Sequence, residues 1–123
     1  MTVAGVAIAG AAGALARYGM TVLIGRPAPG AFPWATLFVN VSGSLVLGFL
    51  VAFFTERIVP DASVRTALTV GFLGAYTTFS TFSIETFRLL QEGAVAIAGV
   101  YVVASVLAGL GAVYVGWLGG KAL

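Results

Sequence analysis

The chain has 123 residues, 60% of them hydrophobic and only 8% charged, and its mean hydropathy is +1.09. Soluble domains carry about 25% charged residues, so the composition excludes one and identifies an integral membrane protein. The net charge of +2 is scattered without a basic run, which excludes nucleic acid as a partner; the lack of Cys and His excludes disulfides, thiolate chemistry and imidazole metal sites.

A transmembrane helix needs about 20 apolar residues. Four such stretches fit, making residues 1–123 a single four-helix transmembrane domain. The first runs from about Val3 to Ile24 and ends at the turn cluster Gly25-Arg26-Pro27-Ala28-Pro29-Gly30. Its beginning, Met1–Ala16, has no basic start and reads as a retained span rather than a cleaved signal. The second runs from about Phe32 to Thr55 and stops before Glu56-Arg57 and Pro60-Asp61. The third runs from about Ala62 to Leu90 and ends at Gln91-Glu92-Gly93. The fourth runs from about Ala94 to Leu118 and ends at Gly119-Gly120-Lys121. Short connections make neighbouring spans antiparallel.

Orientation is balanced. Cytoplasmic loops normally hold the excess of Lys and Arg. Arg57, Arg65 and Lys121 fall on one side; Arg26, Arg88 and, if it snorkels that way, Arg17 fall on the other. Either weak local cues set the topology, or the chain inserts both ways and opposed copies pair as an antiparallel, dual-topology dimer. Small residues in the first, second and fourth spans, among them Gly13, Gly48 and Gly116, favour close helix approach.

The third span contains Gly71-Phe-Leu-Gly74-Ala-Tyr-Thr77-Thr-Phe79-Ser-Thr-Phe82-Ser83. Glycine costs roughly 1 kcal/mol against alanine inside a helix, and threonine competes for backbone hydrogen bonds. The expectation is a helix loosened or broken over Gly74–Thr78. Such backbone survives in a membrane only when it is buried in protein or lines water. The oxygens it frees are ready cation ligands. The alternative is a continuous helix packed through small residues.

Polar groups at membrane depth carry the remaining signal. Thr36, Asn40 and Ser44 share one face of the second span. The Asn40 amide serves either an anion or a neighbouring helix. Tyr101 and Ser105, four apart, form a hydroxyl rim on the fourth span, unless Tyr101 is an interfacial anchor. Phe79 and Phe82 are packing residues or, through their positively polarised ring edges, an anion lining, with Ser80, Thr81 and Ser83 on adjoining faces. Arg17 either lends positive potential to a wet vestibule or snorkels to the headgroups. Glu85 reads as the ion-pair partner of Arg88, three residues on. No carboxylate lies in the first, second or fourth span, and no nucleotide loop, nucleophile–base pair or metal-ligand cluster occurs, so the chain is read as not an enzyme.

Three motifs, Gly10–Tyr18, Thr36–Ser44 and Gly71–Ser83, together resemble the small dual-topology fluoride channels, the Fluc or CrcB family. The resemblance implies an all-α antiparallel homodimer with a broken third helix and two pores, in the cell inner (plasma) membrane. It implies passive fluoride export that protects the cell, and a structural sodium ion at the dimer centre. The sodium would be held by the main-chain carbonyls of Gly74 and Thr77. The pore phenylalanines would be Phe79 and Phe82, the pore asparagine Asn40 and the pore tyrosine Tyr101. Ser80, Thr81 and Ser105 would join the polar track, and Arg17 the vestibule. Tyr76 is a mild departure from the family pattern. Two other readings fit a chain of this size: a dual-topology carrier of cationic drugs, which normally wants an acid in the first span, and a non-transporting assembly subunit.

Overall fold

A computed structural model describes residues 1–123. It is all helical, and four stretches are long and apolar enough to cross a membrane: Thr2–Ile24, Trp34–Glu56, Ala62–Gln91 and Val95–Ala122. These bounds lie within four residues of those expected from hydropathy. The first two are helices α1 (Thr2–Ile24) and α2 (Trp34–Glu56). The third stretch contains α3 (Ala62–Thr66), a π-helical run Ala67–Leu73, α4 (Gly74–Tyr76) and α5 (Phe79–Gln91). The fourth is α6 (Val95–Ala122).

Local chemistry sets the boundaries. After α1, Gly25 adopts φ 96°, open to glycine but strained for other residues, and the chain leaves the helix there. Asp61 caps α3, its carboxylate accepting from the Ser63 N–H at 2.9 Å. Thr78 caps α5, its Oγ1 accepting from the Thr81 N–H at 3.2 Å.

The most extensive packing is between α2 and α6, and α1 lies against the π-helical run. Lipid supplies no hydrophobic drive between helices, so close van der Waals approach must hold them. Glycines permit it: a Cβ on Gly48 would overlap the Val113 carbonyl, and one on Gly116 or Gly120 would overlap the Leu45 or Phe49 carbonyl. At the C-terminal end of this seam, Lys121 pairs with Glu56 at 3.6 Å and sits 4.3 Å from the Trp117 ring centre. Arg57 donates to the Lys121 carbonyl at 3.0 Å.

Within the third span the helical backbone runs through Gly74, at φ −62° and ψ −36°, as far as Tyr76. Thr77 and Thr78 are extended, at ψ 158° and ψ 118°. The irregularity therefore falls at the downstream end of the expected interval, on the threonines and not at the glycine. The wide π-helical turn just before it was not foreseen. Such turns recur at functional sites.

Candidate functional site

The extended step is held by Asn40. The Thr78 N–H donates to Asn40 Oδ1 at 2.8 Å, and Asn40 Nδ2 donates to the Thr78 carbonyl at 3.0 Å. In a continuous helix the Thr78 N–H would serve the Gly74 carbonyl four residues back. Likewise the Thr81 N–H, which would serve the Thr77 carbonyl, is taken by Thr78 Oγ1. The two carbonyls expected to hold sodium are thus among those that the end of α4 leaves without helical donors. A pair of freed main-chain oxygens suits a hard alkali cation, so these residues fit one.

Gly74 and Thr77 both line a groove of about 350 Å³, with Asn40, Phe79, Phe82 and Ser105. The Phe79 and Phe82 ring centres are 5.8 Å apart and their planes tilted by 51°. Phe79 is 79% exposed, so its ring projects from the subunit instead of filling its core. Ser105 Oγ is buried and has no hydrogen-bond partner in the subunit. An unmatched buried hydroxyl costs about 1–3 kcal/mol, so the site favours something that accepts its hydrogen.

Tyr101 does not line this groove. It is fully buried beneath Phe82, ring centres 5.0 Å apart, with the edge of Phe32 against it at 5.4 Å. Its hydroxyl donates to Glu85 Oε1 at 3.4 Å, and the Thr36 hydroxyl donates to the same oxygen. Full burial overturns the interfacial-anchor reading of Tyr101. The expected Glu85–Arg88 ion pair does not form either; Lys121–Glu56 is the structure's one ion pair. Instead the half-buried carboxylate takes two hydroxyl donors from neighbouring helices.

This Thr36–Glu85–Tyr101 cluster was missed in the sequence. The signal available was that Glu85 is an acid inside an apolar span, which demands partners. Thr36 and Glu85 face a second groove of about 440 Å³, lined as well by Thr81, Arg26 and Arg88. Thr81 Oγ1 accepts from Thr78 Oγ1 at 3.0 Å, leaving its own hydrogen free. Glu92 accepts from the Gly30 N–H, fastening the proline-rich first loop beside this groove. Ser80 is exposed outside both grooves, 3.5 Å from Thr78 Oγ1. Arg17 also lies outside them; its Nε is buried without a partner. Of the ten expected site residues, the first groove gathers six: Asn40, Gly74, Thr77, Phe79, Phe82 and Ser105.

A family model described as "CrcB-like protein, Camphor Resistance (CrcB)" matches residues 4–117. A protein of Methylococcus capsulatus named fluoride-specific ion channel FluC is 50% identical over 115 residues, covering 90% of this chain and 49% of that one. The chain therefore spans about half the length of that relative. A Nitrobacter hamburgensis protein named fluoride-specific ion channel FluC 1 is 45% identical, covering 90% and 88%. A fluoride-specific ion channel FluC of Magnetococcus marinus is 42% identical over 98% of both chains.

Proposed function

The chain belongs to the CrcB family, and from that premise we propose that it is a fluoride-selective channel and not an enzyme. The observation that carries the pathway is the convergence, in one groove, of two phenyl rings, an amide and a buried hydroxyl with nothing to bond. That set offers a small anion donors and weakly positive ring edges, with no carboxylate to repel it.

The groove is open on the side of a single subunit, where Gly74 and Phe79 are exposed. A backbone group left unsatisfied in lipid costs several kcal/mol, so this face must be covered. A second, antiparallel copy is the cover proposed, consistent with the balanced Arg and Lys distribution. Opposed copies make two grooves and hence two pores. The Gly74 and Thr77 carbonyls, a pair from each copy, would hold sodium at the centre; when bound, the ion supplies fixed positive charge and links the subunits.

Fluoride enters past Arg17 and Asn40, whose amide keeps one N–H free beyond the bond to Thr78. It passes the Phe79 and Phe82 edges and takes the Ser105 hydrogen. Tyr101 backs this route from beneath Phe82, its hydroxyl and that of Thr36 both given to Glu85. Thr81 offers its free hydrogen at the same end. Arg26 and Arg88 lend this mouth positive potential. Ser80 lies off this route, at its edge. Passive flow out across the inner membrane lowers internal fluoride and gives resistance.

The test is efflux from proteoliposomes loaded with fluoride or with chloride. Rapid fluoride loss with chloride retained is expected. Equal retention of both, or equal loss, contradicts the proposal.

A further inference from the structure

Tyr76 lies immediately before the extended step and lines neither groove. Its ring stacks on Phe72, with centres 6.0 Å apart and planes 9° from parallel. Its hydroxyl is 3.0 Å from Ser42 Oγ. Ser42 spends its own hydrogen on the Val39 carbonyl at 3.2 Å, so Tyr76 is the donor of that pair.

Thr78, on the other side of Thr77, is bonded through both backbone groups to Asn40. Asn40 and Ser42 belong to one turn of α2. Gly43, on that turn, presses on the residue between: a Cβ there would overlap Thr77 Cγ2 and lie 3.2 Å from the Tyr76 ring. The residues flanking Thr77 are therefore each tied to α2, and Thr77 is backed by it.

We propose that Tyr76 is a positioning residue for the cation site: with Asn40 it fixes the peptide on both sides of Thr77 and so holds the freed Gly74 and Thr77 carbonyls in place. Main-chain ligands cannot be re-aimed by a rotamer change, so their hold on an ion depends on how firmly the backbone is clamped. With Tyr76 released, only Asn40 restrains the step, and the Thr77 carbonyl gains freedom to swing away. This role rests on the sodium reading given above.

The experiment measures sodium retained per dimer during timed dialysis against N-methylglucamine, with thermal unfolding alongside, for wild type, Tyr76→Phe, Ser42→Ala and the double variant. Tyr76→Phe keeps the stacked ring and removes one neutral hydrogen bond, and Ser42→Ala removes the same bond from the other side. Each single variant is expected to lose sodium about fivefold faster than wild type, and the double variant no faster than either. A merely structural Tyr76 would lower the unfolding temperature and leave retention unchanged; that result overturns the role while leaving the sodium reading standing. A wild type that holds no sodium at the outset overturns the sodium reading and the role together.

Discussion

The α2–α6 seam and the groove at Thr77–Thr78 are opposites. Along the seam, Gly48, Gly116 and Gly120 let backbone meet backbone, and the contact is complete within one chain. Around the groove, the Gly74 and Thr77 carbonyls lack their helical donors, Ser105 lacks any partner and Phe79 stands out from the surface. The contrast separates what folds the subunit from what the subunit leaves for something else to finish. Only 16 of 123 residues are buried within one subunit.

Substitutions in the two regions should fail in different ways. Gly116→Leu has the largest expected effect: it drives a side chain into the Leu45 carbonyl, costs about 3 kcal/mol or more, and leaves little folded protein on size-exclusion chromatography. Gly74→Val separates subunit from dimer. A Cβ at Gly74 meets only the Thr69 carbonyl at 3.8 Å, so the subunit tolerates it. The second copy proposed for that face would not, and cross-linking in membranes should show the dimer lost while monomer expression persists. Ser105→Ala removes a hydroxyl that costs the subunit stability, so fluoride efflux should fall several-fold while the unfolding temperature holds or rises. Arg88→Gln should have the smallest effect, a reduction of about twofold in efflux at low salt that vanishes at high salt, where exposed charges are screened.

Much of this contrast was legible in the sequence. The spans follow from hydropathy because burying apolar length in lipid dominates all else, and their ends follow Gly25 and Asp61. The groove residues were marked by a motif too polar for a lipid-facing helix. Asn40 bonds the neighbouring span through Thr78 and keeps one N–H free. What stayed hidden depends on tertiary contact. Glu85 and Arg88 share a helix face, yet Glu85 turns to Thr36, 49 residues away, and to Tyr101, 16 away. Local spacing carries no information about which neighbouring helix supplies a hydroxyl. The Tyr76–Ser42 bond was invisible for the same reason. Arg17, read as a vestibule charge, lies outside both grooves of the single subunit, and its unpartnered Nε fits a role completed by another copy.

The claim that the groove at Phe79 and Phe82 is the anion path meets its most direct test in Phe82→Ile. The proposed dimer should persist with unchanged elution, while fluoride efflux from liposomes drops at least about tenfold, a rise of roughly 1.4 kcal/mol in the barrier for passage. Undiminished efflux through an intact Phe82→Ile dimer would place the anion elsewhere.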